Sequence, residues 1–288
     1  MSDSDGNDSF CSAYDDNPAN IRFPLSHDEL ESLNKKLTRV VYIQQTDATY
    51  HRALNDIRDQ TSISLMVEPS FYGRHQVTSV LAVATANETY IMDIKAIGSI
   101  YPEMAKILEA DQPRKIVHYS HRISDHLRHK HGIILAGVCD SFVALCMARQ
   151  EKSPCLLPEA ISLVFGLPLK DLLCEEVMGS SESRRNFTAR PLTPSQLKYM
   201  ARMVQLQHRM HDRLIYNNIC AQVQRMSMEF SRNYSGFQSS DVALNMSPSS
   251  RFGFHLIDPC YKIADEGVAL PTPEEIDHHE LEQQKGRK

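Results

Sequence analysis

The sequence predicts an α/β fold with a mixed central sheet, helices on both faces of that sheet and a helical C-terminal half. Short runs rich in β-branched residues precede residue 120, and apolar residues at helical spacing dominate after it. Three consecutive strand-like runs, followed by a helix, another strand and many helices, are typical of such a sheet. With 288 residues, 42% of them hydrophobic, the chain can bury a core without disulfide or metal support.

The predicted strands are short β-branched runs. They are Arg39–Gln44, Ile63–Glu68, Val77–Ala84, Thr89–Ile94 and Lys115–Tyr119. The predicted helices carry apolar residues three and four positions apart. They are Tyr101–Ala110, Ser124–His131, Asp140–Gln150, Leu157–Phe165 and a long segment from Thr193 to about Phe230.

Charge is unevenly distributed along the chain. The formal net charge of −5 excludes a strongly basic, histone-like nucleic-acid binder. Residues 1–35 contain 2 basic and 8 acidic residues, residues 36–230 contain 23 and 19, and residues 231–288 contain 6 and 9. A basic middle region with acidic ends is compatible with a nucleic-acid-facing domain.

These patterns divide the chain into three parts. Residues 1–35 form an acidic, mostly disordered segment in which S-H-D-E from Ser26 predicts the start of a short helix. Residues 36–230 form the folded domain. Residues 231–288 form a linker and a mostly disordered acidic tail, with a docking patch at 251–263 that contains Phe252, Phe254 and Tyr261.

The number and spacing of the cysteines and the hydropathy of the chain indicate the cellular compartment of the protein. The seven cysteines form no C-x-x-C pair, which favours reduced, buried thiols in an intracellular protein. The N-terminal sequence is acidic and lacks the apolar stretch of a secretory signal, and no apolar run approaches the length of a membrane span. These features predict a cytoplasmic or nuclear protein, and we expect the cytoplasm.

Three ordered motifs resemble the DEDD-type 3′-5′ exonuclease domain of the ribonuclease D kind. ISLMVEPS followed by VTSVLAVATANETYIMDI is similar to the first motif region, RKIVHYSHRISDHLRHKHGIILAGVCDSFVA to the second and RRNFTARPLTPSQLKYMARMV to the third. The resemblance spans roughly residues 36–216. It implies a ribonuclease H-like exonuclease fold for the domain at 36–230.

That family's chemistry requires a ring of four carboxylates. Two Mg²⁺ or Mn²⁺ ions activate a water and stabilise the leaving oxygen, and these hard ions need oxygen ligands. Aligned with the family, this sequence keeps one of the four acids, Glu68. The other three positions hold Met66, Ile123 and Met203.

Two further residues bear on this loss of carboxylates. Asp125 lies two positions after Ile123, which is about 200° around a helix, so it cannot take the missing role. Tyr199 matches the family's water-orienting tyrosine. We therefore expect no catalytic residues, only the remnants Glu68 and Tyr199, and no metal or other cofactor; Mg²⁺ or Mn²⁺ would bind only if the protein were active.

The chain also resembles the family of inactive exonuclease-domain proteins of the piRNA pathway. That resemblance implies an RNA-binding adaptor that forms a homodimer and assembles with PIWI-pathway proteins, such as a Tudor-domain helicase, in the PET complex of cytoplasmic germline granules (nuage). Insect RNA-localisation proteins with degenerate exonuclease domains are a second group of similar proteins.

Basic residues cluster beside the third motif and predict contacts with single-stranded RNA. Residues 184–213 contain seven basic residues and one acidic residue. On the helix from Thr193, four of these fall within a narrow arc opposite the apolar side, although an ordinary solvated helix face has the same pattern. The predicted RNA-binding residues are Arg184, Arg185, Arg190, Lys198, Arg202, Arg209 and Arg213.

Five histidines lie close together in the second motif region: His118, His121, His126, His129 and His131. No cysteine or carboxylate accompanies them at zinc-like spacing, so we expect a surface-exposed, partly charged helix and a structural role for His118. Two alternatives to the RNA-binding adaptor remain open. One is an active, metal-dependent 3′-5′ exonuclease on RNA or DNA, and the other is an RNA-localisation adaptor or a pure protein scaffold on the same fold.

Overall fold

The computed structural model describes residues 21–68, 77–149, 153–173 and 187–235, together with His279, with the backbone alone from residue 217 to 235. The predicted RNA-binding residues Arg184 and Arg185 and the docking patch at 251–263 lie outside these ranges. None of the described helices is both long and apolar enough to cross a membrane.

Six strands and nine helices are described. The strands are β1 (Val40–Ile43), β2 (Ser62–Glu68), β3 (Val80–Ala84), β4 (Thr89–Met92), β5 (Arg114–Val117) and β6 (Val138–Asp140). The helices are α1 (His27–Leu37), α2 (Ala48–Arg58), α3 (Ile94–Ile97), α4 (Pro102–Glu109), α5 (Ser120–His131), α6 (Ser141–Arg149), α7 (Leu157–Phe165), α8 (Leu169–Leu172) and α9 (Pro194–Ser235).

The strands form one mixed sheet in the order β1-β4-β3-β2-β5-β6. β3 runs antiparallel to both of its neighbours, β2 and β4, while the β1–β4, β2–β5 and β5–β6 pairs are parallel. This arrangement confirms the predicted α/β fold. The antiparallel pairing places the end of β2 beside the start of β3, where Glu68 pairs with Val80.

Alternate residues of the central strands pack into two separate apolar layers. On one face, Met66 and Ala82 pack with residues of α1, α6, α7, α8 and α9. On the other, Leu65 and Val83 pack with residues of α2, α4 and α5. The sheet is therefore covered on both sides, as predicted.

Helix α9 crosses the first face and is fixed there by polar contacts as well as apolar ones. The Gln207 amide donates to the Ile116 carbonyl oxygen (3.0 Å), and the Gln205 amide donates to Thr89 Oγ1 (2.9 Å). A ring nitrogen of His208 lies 3.2 Å from Ser62 Oγ. These contacts set the rotation of α9 on the sheet, and hence the side chains that it presents to the end of β2.

Helix α1 belongs to the packed domain. Ser26 and Glu29 form the predicted capping box, and Leu33 and Leu37 are buried in the first apolar layer. Helix α1 thus packs on the domain predicted at 36–230. The backbone of α9 ends at Ser235.

Helix α2 is absent from the predicted elements. The Asp47 carboxylate caps it by accepting from the Thr49 and Tyr50 backbone N–H groups (2.9 and 3.1 Å). Its Asp56 carboxylate accepts from the hydroxyls of Thr85 and Tyr90, both at 2.8 Å. The helix thereby holds the β3–β4 turn from a position about 30 residues earlier in the chain.

Candidate functional site

The end of β2 carries the two residues of the first motif. Met66 and Glu68 are two positions apart on the strand and therefore project from the same face, toward α9. Both are buried, with 8% and 4% of their surface exposed. The position that the resemblance assigns to a metal-binding aspartate thus holds a thioether inside an apolar layer.

Helix α9 brings the third motif to the same layer. Met203 is fully buried, and Tyr199, one turn earlier, packs partly buried against the same apolar layer. The Tyr199 ring lies 6.3 Å from the ring of Phe187. Met66, Met203 and Tyr199 therefore belong to the same apolar layer, on one face of the sheet.

Ile123, the third replaced position, does not join that cluster. It is 2% exposed and packs in the opposite apolar layer with Leu127 of the same helix. Asp125 points elsewhere and lies 3.3 Å from the ring of His129. Two of the three replaced positions, Met66 and Met203, thus lie in the layer on one face of the sheet, and Ile123 lies in the layer on the other.

These residues do not fit a pair of Mg²⁺ or Mn²⁺ ions. Hard ions need several carboxylate or carbonyl oxygens, and a thioether is a soft, weak ligand. Among the residues that the structure describes, no group of three or more His, Cys, Asp or Glu side chains is placed to hold a metal ion. Glu68 is the one acidic residue among the four motif positions.

His118 directly follows β5, the strand that leads into the second motif. Its Nδ1 lies 2.9 Å from Ser141 Oγ and its Nε2 lies 2.7 Å from the Cys155 carbonyl oxygen. Burial lowers the pKa of His118. With both ring nitrogens hydrogen-bonded to the protein, His118 has the structural role that we predicted.

Tyr119 is a strained residue that the sequence does not reveal. Its φ of 61° is in the left-handed region, which costs a non-glycine residue about 1–3 kcal/mol. The Asp140 carboxylate holds the turn by accepting from the Tyr119 and Ser120 backbone N–H groups (3.3 and 2.7 Å). The Tyr119 hydroxyl in turn accepts from the Cys155 N–H (2.9 Å).

The histidines of α5 are not all exposed, and the prediction is wrong for His126. His126 is 1% exposed, and its Nε2 lies 2.7 Å from Thr78 Oγ1. The Nε2 of His131 lies 2.6 Å from the same oxygen. The threonine has one proton to donate, so one imidazole accepts from it and the other donates to it. Burial and the neighbouring His131 and Lys130 lower the pKa of His126 to about 4.

Arg190, predicted to contact RNA, is used inside the protein. Its Nε and Nη2 donate to the two oxygens of Asp93 (2.6 and 2.5 Å), and the Asp93 side chain is completely buried. The remaining Nη1 donates to the carbonyl oxygens of Phe187 and Ala189. Since all three guanidinium nitrogens are engaged, Arg190 clamps the third motif to the end of β4 and has no donor directed at a ligand.

The Asp93 carboxylate also accepts hydrogen bonds from groups other than Arg190. The Tyr42 hydroxyl donates to it (2.5 Å), as does the Ala96 backbone N–H (3.0 Å). Burial raises the pKa of Asp93, but the bonds from Arg190 and Tyr42 outweigh burial and hold the pKa below its ordinary value. Burial and the neighbouring Asp93 raise the pKa of Tyr42 to about 12.

The four predicted RNA-binding residues of α9 differ in whether their charged groups already contact other parts of the protein. Arg202 donates to the Asp171 carbonyl oxygen, and Arg213 donates to the Glu29 carboxylate at 2.5 Å. Arg209 Nη2 lies 3.5 Å from Ser32 Oγ. Lys198 is exposed. The three arginines thus contact other parts of the protein, at the α1 and α8 sides of α9.

Two curated proteins resemble the chain over most or much of its length. Protein Exd1 homolog of Drosophila melanogaster is 60% identical over 267 residues, which are 92% of this chain and 98% of that protein. The piRNA biogenesis protein EXD1 of Bombyx mori is 28% identical over 60% of this chain. The match spans 56% of the silkworm protein's own length.

Solved exonuclease structures share the fold. The exonuclease domain of Nibbler from Aedes aegypti superposes with a TM-score of 0.51 at 15% identity, covering 64% of this chain and 90% of that domain. Trypanosoma brucei RNase D in complex with RNA U12 superposes with a TM-score of 0.53 at 17% identity, covering 71% of this chain and 73% of that one. No protein-family model matches the chain. The fold is thus that of ribonuclease D-like, DEDD-type exonuclease domains, and by its similarity to the Drosophila protein the chain belongs to the Exd1 family.

Proposed function

We propose that this protein is a catalytically inactive 3′-5′ exonuclease-like protein that binds single-stranded RNA and acts as an adaptor in piRNA biogenesis. The observation that carries the proposal is the burial of Met66 and Met203 in one apolar layer, at positions that the resemblance assigns to metal-binding acids. Without those acids the fold can hold RNA but lacks the ligands that position two metal ions.

Membership of the Exd1 family supports the pathway. The silkworm, mouse and human relatives are all named piRNA biogenesis protein EXD1. By this proposal the protein acts in the cytoplasm, in germline granules, as a homodimer with PIWI-pathway partners such as the Tudor-domain helicase of the PET complex. It uses no metal or other cofactor.

Single-stranded RNA binding tests the adaptor function. Affinity is measured at two salt concentrations for the wild type and for the Arg202→Ala/Arg209→Ala variant. If both arginines contact phosphates, the variant binds more weakly and its log-log salt slope is smaller by about 0.7 per lost contact. The double variant Arg52→Ala/Arg58→Ala is the matched control, since both arginines are exposed on α2, across the sheet.

A pure scaffold is the second candidate function. It is favoured by the engagement of Arg190, Arg202 and Arg213 with other parts of the protein, which leaves fewer donors for phosphates. Undetectable RNA binding, or binding that responds neither to the Arg202→Ala/Arg209→Ala substitutions nor to salt, would support the scaffold and contradict the RNA-binding adaptor.

A further inference from the structure

The seam between α1 and α9 pairs an acidic helix with the predicted RNA-binding arginines. α1 carries Asp28 and Glu29 in its first turn. Glu29 Oε1 accepts from Arg213 Nη2 at 2.5 Å, and Ser32, one turn later, faces Arg209. The carboxylate on Arg213 occupies the kind of position that a phosphate oxygen would take on the same guanidinium.

Glu29 is held in place by its own helix. Its second oxygen, Oε2, accepts from the Ser26 backbone N–H at 2.8 Å. That hydrogen bond lowers the pKa of Glu29, and the charge of Arg213 lowers the pKa further. The side chain is therefore an anion at neutral pH, fixed against Arg213 by the capping box of α1.

Arg209 shares the Glu29 carboxylate with Arg213, since the charge of Glu29 raises the pKa of Arg209 against the larger lowering by burial. Its Nη1 is shielded from solvent and makes no hydrogen bond to the described residues, and its Nη2 makes one long contact to a neutral hydroxyl. The nearby Lys36 is also basic, and the charge of Arg209 contributes to the lowered pKa of Lys36, after burial. Glu88 acts on Lys36 in the opposite sense, so Arg209 and Arg213 are the two basic groups that share Glu29.

α1 is attached to α9 by few buried side chains. Of its eleven residues, Leu33 and Leu37 are the two that are buried. The Glu29 and Arg213 side chains are 30% and 43% exposed, and exposed ion pairs are weak and easily exchanged. The pair can therefore exchange while α1 stays packed through Leu33 and Leu37, and through Ile21, Phe23 and Leu25 just before it.

We propose that α1 is an acidic cover on the RNA-binding surface of α9, in which Glu29 occupies Arg213 and competes with RNA phosphate groups. RNA binding requires the carboxylate to leave Arg213, and an RNA phosphate then takes its place beside Arg213 and Arg209. This inference rests on the proposed function and assigns a regulatory contact to the same surface.

The test compares two charge-neutral substitutions on α1. Glu29→Gln removes the competing charge and keeps the cap, because glutamine also accepts at this position of a capping box. Glu31→Gln removes the same charge from an exposed position on the same helix. Binding of a fluorescein-labelled single-stranded RNA to the full-length protein is measured, with far-UV circular dichroism and thermal unfolding to check the fold.

We expect Glu29→Gln to bind RNA up to about fivefold more tightly than the wild type, the most that one exposed ion pair can contribute. The RNA affinity of Glu31→Gln should differ from that of the wild type by less than about 2.5-fold, half of the factor expected for Glu29→Gln. Adding Arg213→Ala to Glu29→Gln should remove the gain, which assigns the effect to this pair.

The outcomes separate this inference from the function on which it rests. If the wild type binds RNA and Glu29→Gln binds no better than Glu31→Gln, the cover is wrong and the RNA-binding function stands. If neither the wild type nor Glu29→Gln binds RNA, the RNA-binding function itself is wrong. If Glu29→Gln binds RNA and the wild type does not, the result supports both the acidic cover and the RNA-binding function.

Discussion

Two arginine–carboxylate pairs in this protein have the same closest approach and different surroundings. Arg190 and Arg213 each place an Nη2 atom 2.5 Å from an acidic side chain, and both arginines belong to the basic cluster that predicts RNA binding. Asp93, the partner of Arg190, is completely buried, whereas Glu29, the partner of Arg213, is 30% exposed. The distance between the paired atoms does not distinguish the two arginines. Burial of the pair and the number of further hydrogen bonds do, and they separate an arginine with a structural role from one that can bind a ligand.

The Arg190 pair cannot be broken without leaving a buried charge. Asp93 is surrounded by Arg190, Tyr42 and a backbone N–H, and no water replaces the guanidinium at a completely buried oxygen. The Glu29–Arg213 pair faces solvent, and water or a phosphate can replace either partner. The basic cluster therefore contains residues of two kinds, which the charge pattern alone does not separate.

Removing Arg190 is the strongest test of this contrast. Arg190→Ala should lower the free energy of unfolding by about 3–5 kcal/mol, because it leaves the Asp93 carboxylate buried and uncompensated. Urea unfolding of Arg190→Ala and Arg213→Ala, side by side, measures the difference. Equal losses for the two variants would contradict the assignment of different roles.

The pH dependence of stability provides the next largest effect. The pKa of His126 is lowered to about 4 in the folded protein, against about 6.5 when unfolded. Between those values the unfolded chain binds more protons, so the contribution of His126 is fully present above pH 6.5 and is lost as the pH falls toward 4. We expect a loss of about 2–3 kcal/mol between pH 7 and pH 4.

Unfolding measured at several pH values tests this dependence with two variants. His126→Leu should flatten the profile between pH 6.5 and 4, whatever its effect on stability at pH 7. His129→Gln, on the exposed side of the same helix, is the control substitution. A profile that His129→Gln flattens and His126→Leu does not would contradict the placement of His126.

The smallest effect is expected at the exposed pair. Arg213→Ala should cost about 0–1 kcal/mol of stability at low salt. In about 1 M NaCl, where the Debye length is about 3 Å, that cost should nearly vanish. A cost that persists at high salt would mean that Arg213 acts through packing rather than charge.

The sequence predicts elements well where the signal is local. Leu157–Phe165 is predicted and observed with the same bounds, and the capping box at Ser26 starts a helix as expected. The segment Ala48–Arg58 is missed although its signal is also local, with Asp47 as the cap and buried residues Tyr50, Ala53, Leu54 and Ile57 at helical spacing.

The remaining differences come from contacts between distant residues. Helix α5 begins at Ser120, four residues before the predicted start, because Asp140 accepts from the Ser120 N–H across the fold. His126 is buried because Thr78, 48 residues earlier, meets its ring. The role of Arg190 depends on Asp93, 97 residues away. Periodicity and charge counts contain no information about such pairs.

A nuclease assay with Mn²⁺ tests the central claim most directly. The full-length protein is incubated with 5′-labelled single-stranded RNA and Mn²⁺, alongside Glu68→Gln, which removes the one acidic residue at the four motif positions. Because Met66 and Met203 cannot hold hard metal ions, we expect the RNA to remain intact with both proteins. An Mn²⁺-dependent ladder of shortened RNA that Glu68→Gln abolishes would contradict the claim that this exonuclease fold is inactive.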